Sequence, residues 1–153
     1  MKRCTCLFVA FLLLLSATGC TTETRQDKVV NSLGQYESKQ VWTHGEGQDY
    51  TGFGQYSYSS AELANNPYFE LVSETDFDLI YTFVDNFEKW IEAFLNNNPN
   101  DELVVNYAFD RSVIDTGDYF HIYEKENYSQ FSYYDVWIFD IQTNILYYFH
   151  HNI

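Results

Sequence analysis

Between Glu74 and Leu95 the apolar side chains Phe77, Ile80, Tyr81, Val84, Phe87, Ile91, Phe94 and Leu95 fall three and four residues apart, which puts them on one face of a helix. Ser73 stands where an N-cap belongs. Glu74, Asp76 and Asp78 put negative charge at the positive end of the helix dipole, and Asn96-Asn97-Asn98-Pro99 ends the run. Leu79 and Trp90 widen the apolar stripe, so the helix is expected to be covered on more than one side.

Beyond Pro99 the period shortens to two. Leu103, Val105, Tyr107 and Phe109 alternate with Val104, Asn106 and Ala108, which predicts a strand over 102–110. Asp115-Thr116-Gly117-Asp118 is a turn signal, and a second strand over 119–124 sets Phe120 and Ile122 against Tyr119, His121 and Tyr123. Two more strands, 133–141 and 145–151, are joined by Gln142-Thr143-Asn144, where asparagine suits the left-handed residue of a three-residue hairpin. That loop pairs Ile141 with Ile145, Phe139 with Tyr147, Trp137 with Phe149 and Asp135 with His151, an aromatic face that belongs under the helix. Val136, Ile138, Asp140, Leu146, Tyr148 and His150 then form the opposite face, too apolar to stand bare.

The expected fold class is α+β: one long amphipathic helix packed on a four-stranded antiparallel meander, in the order α-β-β-β-β. Upstream, Gly45, Gly47, Gly52 and Gly54 are interleaved with Trp42, Tyr50, Phe53, Tyr56 and Tyr58, which suggests an irregular arm or a loose hairpin over 41–60; either this arm covers the second sheet face or that face binds something. A short helical turn over 60–65 is expected to end at Asn66-Pro67. Residues 20–40 carry no sustained period and read as a lipid-anchored flexible tether, leaving 41–153 as a single domain.

Residues 1–19 read as an export signal: Met1-Lys2-Arg3 is a basic head on the apolar run Leu7–Leu15, which is shorter than the roughly 20 residues that span a bilayer. The ending Ala17-Thr18-Gly19-Cys20 resembles the lipobox of bacterial lipoproteins. The resemblance implies cleavage before Cys20 and diacylglycerol on its sulfur, with the protein held at the outer face of the bacterial cell membrane; ordinary secretory cleavage near the same place is the alternative. The signal-like segment contains Cys4 and Cys6, so the mature domain has no pair for a disulfide, a thiolate metal site or a redox dithiol. The core must come from its 14 Tyr, its 3 Trp and the Phe residues other than Phe8 and Phe11.

Loss of Lys2 and Arg3 with that segment leaves 6 basic against 22 acidic side chains, a formal charge of −16. Such a chain lacks the Lys and Arg that neutralise phosphates, which argues against nucleic acid and against anionic lipid headgroups as partners. Membrane contact then rests on the acyl chains at Cys20. The charge keeps an exported domain soluble and, where it serves recognition, suits a basic protein or peptide.

The order of elements over about 60–153 resembles cystatin-like and NTF2-like rolls, in which a curved antiparallel sheet wraps a helix; this implies a shape and not an activity. The stretches IFDIQTNILYYFHHNI and FDRSVIDTGDYF resemble those of short uncharacterised exported proteins of Gram-positive bacteria, from which no function carries over.

Candidate chemistry is sparse. His150 and His151 are adjacent on a strand and point to opposite faces, so they do not share a metal ion. Asp110, Asp115, Gly117 and Asp118 lack the alternating oxygen ligands of a calcium loop and read as an acidic turn. No nucleophile elbow, phosphate loop or spaced carboxylate pair points to a catalytic residue or a cofactor. Tyr133-Tyr134 and Tyr147-Tyr148 offer a stacking platform for sugar or peptide, with half of each pair expected in the core. The candidate binding surface is therefore Tyr148 and His150 with Val136 and Ile138 beside them. The reading is a non-catalytic tethered binding module; the alternative is an exported hydrolase whose acidic residues the spacing does not identify.

Overall fold

The computed structural model describes residues 23–46 and 49–152. The signal-like segment and Cys20 lie outside the described residues. The chain divides into two compact units, residues 1–30 and 31–153. In the first, helix α1 (Arg25–Ser32, running into the second unit) opens on a reciprocal cap. The Asp27 backbone N–H donates to Thr24 Oγ1 at 3.1 Å, and the Asp27 carboxylate accepts from the Thr24 N–H at 3.1 Å. The expected tether over 20–40 is thus corrected: 25–32 are helical and a strand begins at Tyr36.

The second unit is α+β. Strands β1 (Tyr36–Glu46), β2 (Asp49–Tyr58), β3 (Glu70–Leu71), β4 (Tyr119–Glu124), β5 (Tyr133–Asp140) and β6 (Ile145–Asn152) form one antiparallel sheet in the order β1-β2-β6-β5-β4-β3. Helix α2 (Phe77–Leu95) buries Ile80, Val84, Phe87 and Ile91 of the expected stripe together with Phe83, which the spacing did not include, while Leu79 and Leu95, expected on the covered sides, are exposed. It starts three residues later than Ser73 implies, because Ser73–Asp76 form a turn in which the Asp76 carboxylate accepts from Ser73 N at 2.9 Å and Ser73 Oγ at 2.5 Å. Those two bonds hold the Asp76 carboxyl below the usual range.

The four-stranded meander is corrected to six strands, of which β4, β5 and β6 are the expected ones. The strand expected over 102–110 is a short helix, α3 (Glu102–Asn106), followed by a 3₁₀ turn at Arg111–Val113. Asp101 caps α3 by accepting from Leu103 N at 2.9 Å. Leu103 and Tyr107, four apart, then face the same way: Leu103 is fully buried, and the Tyr107 ring meets Phe53 at 5.0 Å and Phe87 at 5.5 Å. Tyr107 Oη donates to Glu88 at 3.0 Å, and Arg111 pairs with both Glu88 and Asp85, which ties this segment to α2.

The glycine-rich stretch does not fold back over the sheet; it is the β1–β2 hairpin, and β2 pairs along β6. Gly52 and Gly54 sit opposite His150 and Tyr148. A Cβ on Gly54 would come within 3.0 Å of Val41 Cγ2, and one on Gly52 within 3.2 Å of Thr43 Cγ2 and 3.4 Å of the Tyr50 ring. Their bare backbone lets neighbouring tyrosine rings lie flat along the sheet. Residues 61–65 contain no helix; instead Asn66 stitches this loop together, its side-chain amide donating to the carbonyls of Ser32 at 3.0 Å and Glu62 at 2.9 Å.

The β5–β6 connection has four residues, 141–144, with Asn144 in the left-handed region at φ 55°. Asp140 now pairs with Ile145, Ile138 with Tyr147, Val136 with Phe149 and Asp135 with His150. Relative to the expected register the ladder slips by one residue, so every β5 side chain exchanges faces while β6 keeps its own. Asp140 sets the longer loop: its carboxylate accepts from Gln142 N at 2.8 Å, Thr143 N at 3.3 Å and Thr143 Oγ1 at 2.6 Å.

Candidate functional site

The slip decides what becomes of the expected binding surface. Val136 and Ile138 lie on the α2 side, in the core with Tyr134, Tyr147 and Phe149. Tyr148 and His150 lie on the other side, as expected, but they are 1% and 3% exposed and so present no surface. Trp137, expected beneath α2, stands beside them. The four residues are therefore split between two layers, and none of them is an exposed contact.

On the second face the structure assembles a row that crosses four strands. His121 stacks on Trp137 at 5.1 Å, Trp137 on Tyr148 at 5.3 Å, and Tyr50 on His150 at 3.9 Å between ring centroids. The rings of Tyr68 and Phe69 close the β4 end against His121 at 5.7 and 6.4 Å. The His121–Trp137, Trp137–Tyr148 and Tyr50–His150 contacts join facing or diagonal positions of adjacent strands, the arrangement that stabilises an antiparallel ladder.

A carboxylate lies inside this row. Asp135 is 4% exposed, its Oδ1 lies 2.6 Å from His150 Nδ1 and accepts from Tyr148 Oη at 2.9 Å. Burial, and then the charge on Asp135, push the Tyr148 phenol well above its ordinary pKa, so it stays protonated and donates. The Asp135 contact fixes the orientation of the His150 ring. His150 Nε2 and Trp137 Nε1 are buried without a hydrogen-bond partner among the described residues. An Asp–His pair is a recurrent device of acid–base catalysis, but here Nε2 is buried and no hydroxyl or thiol among the described residues is bonded to it. The cluster orders the sheet. Asp135 and Tyr50 were not among the expected residues; Tyr50-x-Gly52-x-Gly54, a ring followed by two bare positions on the same face, was the available signal.

On the α2 side, His151 Nδ1 lies 3.0 Å from Thr51 Oγ1. Burial and the neighbouring His150 push its pKa down to about 4, so His151 is neutral near pH 7. The two histidines thus occupy opposite faces, as their adjacency requires. Among the described residues no group of three His, Cys, Asp or Glu side chains is placed to hold a metal ion. Asp118, in the expected acidic turn, accepts from Asp115 N at 2.8 Å and Ile141 N at 3.1 Å, and burial pushes its pKa up. The tyrosine pairs are divided: Tyr134 and Tyr147 belong to the α2 core, Tyr148 to the second face, and Tyr133 meets Tyr128, over which Lys125 sits at 4.3 Å.

The exposed surface is acidic. Glu37, Asp49, Glu70, Asp78, Glu92 and Glu102 are among the exposed carboxylates of the second unit, while Arg111 is committed to Asp85 and Glu88. Among the described residues no helix is long and apolar enough to cross a membrane. No known protein family, no curated protein and no solved structure matches this chain.

Proposed function

We propose that this protein is an exported, lipid-anchored binding module that engages a basic protein or peptide. The observation that supports this reading is where the charge lies. Between Tyr36 and the C-terminus the basic side chains are Lys39, Lys89, Arg111 and Lys125; Arg111 is held in ion pairs and Lys125 sits over tyrosine rings. Many carboxylates stand exposed around them, so the surface attracts cations over a Debye length of about 8 Å at physiological salt. The buried polar groups pull the same way: Asp135, Asp118 and Asp140 are each spent on hydrogen bonds that hold the fold.

Anchoring at Cys20 places this surface outside the cell membrane, where acyl chains supply the membrane affinity that the charge opposes. The reading is tested by capture on the native protein from the cell envelope at about 50 and 500 mM salt, ionic strengths that bracket strong and weak screening. A basic partner is retained at low salt and released at high salt. Capture that is indifferent to salt, or of acidic proteins only, overturns the reading.

A further inference from the structure

We infer that the outer edge of β1 is the docking line for the basic partner, which adds to the sheet there as an extended strand; this rests on the reading above and names how its partner binds. The orientation of the β1 backbone follows from one hydrogen bond. Tyr58 N donates to Asn144 O at 3.0 Å, so Tyr58 points its backbone groups at β6. Backbone direction alternates along a strand, which turns Phe53 and Gln55 toward β1 and therefore turns their partners Trp42 and Gln40 toward β2. Lys39, Val41 and Thr43 then direct their N–H and C=O groups away from the sheet.

Among the described residues no strand pairs with that edge: β1 ends the strand order, and the element packed against it is the short helix α3. It is also long: 11 residues without proline, with Glu37 to Gln40 and Thr43 exposed. Native sheets usually blunt such an edge by shortening, covering or charging it. Lys39 is the one lysine or arginine on this strand, and its ammonium lies over the Tyr56 ring at 5.8 Å.

The occupant follows from charge. Glu37 is exposed on β1, and exposed Glu102 opens α3, whose cap Asp101 is itself held to β1 by His44 at 2.8 Å. A second copy would bring the same negative charge to this edge and be repelled. A strand carrying Lys or Arg at alternate positions gains both the backbone ladder and these carboxylates.

The probe is acetyl-(Lys-Val)4-amide, titrated into the full chain, with acetyl-(Glu-Val)4-amide as the charge control. Thr43→Pro and Val41→Pro each remove an outward N–H, a change an edge strand tolerates, and Thr43→Val is the conservative control. The expected result is at least tenfold weaker binding of the basic peptide to either proline variant, unchanged binding to Thr43→Val, and no binding of the acidic peptide. A proline variant that does not fold is replaced by amide exchange on the native protein, in which the peptide newly protects the Val41 and Thr43 N–H groups. Equal affinity of native and proline proteins, or no new protection at those amides, overturns the edge while leaving the basic partner standing. No binding of the basic peptide at all overturns both.

Discussion

Asp135 and His150 face each other directly across β5 and β6, joined at 2.6 Å between Oδ1 and Nδ1, with Tyr148 Oη donating to the same oxygen. This contact belongs to one register alone: had Asp135 stood opposite His151, the carboxylate would lie on the α2 side among Phe149 and Tyr147. Removing one member of a buried hydrogen-bonded pair strands the other. Asp135→Ala is therefore expected to destabilise by about 3–5 kcal/mol. Asp135→Ala combined with His150→Phe should recover part of that loss, because the orphaned nitrogens go with the ring. Urea unfolding of the single and double variants measures both; additive losses would mean that the two side chains do not act as a pair.

That same contact marks the limit of what the sequence reveals. Burial of α2 is legible because one side of the helix is polar, so Ile80, Phe87 and Ile91 declare their face. The faces of β6 are legible too. On β5, Val136-Trp137-Ile138-Phe139 is apolar at every position and buried on both sides, so alternation carries no parity and the register hangs on loop length alone. Asp140 lengthens that loop by capping Gln142 and Thr143, a local effect that no hydrophobic count contains. The same competition misleads at 102–110, where period two and the Leu103–Tyr107 spacing of four coexist and the Asp101 cap decides for helix.

Neighbouring positions on α2 separate packing from pairing. Phe87 is fully buried against Tyr107 and Phe149, so Phe87→Ala should cost about 3–5 kcal/mol as a cavity-forming change. Glu88 stands on the polar side of the stripe yet accepts from Tyr107 and pairs with Arg111. Glu88→Ala should cost about 1–2 kcal/mol, more than an ordinary surface change, by leaving the half-buried Tyr107 hydroxyl unpaired. Chemical denaturation resolves the two, and a Glu88→Ala loss below a few tenths of a kcal/mol would remove the Glu88 bridge from the account.

Anchoring makes a prediction independent of the fold. Cys20→Ser removes the sulfur that would carry diacylglycerol, and the chain's negative charge, −14 with residues 1–19 and −16 without them, provides no second route to an anionic bilayer. On this reading the variant should be exported and recovered in the soluble fraction, and the native protein should partition with membranes. A Cys20→Ser protein that still sediments with membranes would sink the lipoprotein reading.

His151 ties stability to pH. Its pKa is lowered in the fold to about 4, by burial first and by His150 second, against about 6.5 in the unfolded chain. The unfolded state therefore binds the proton first. The stabilising contribution is fully present above about pH 6.5 and is lost as pH falls from there toward 4, where the folded form also takes the proton. A shift of this size corresponds to a loss on the order of 3 kcal/mol at the acid end. Partial protonation of the many exposed carboxylates works in the opposite sense by relieving their repulsion, so the comparison must be with a variant rather than with pH alone. His151→Gln keeps a group able to bond Thr51 Oγ1 and does not titrate. Unfolding free energies measured between pH 4.5 and 7.5 should fall less steeply for His151→Gln than for the native protein, and parallel profiles would show that His151 is not the group being titrated.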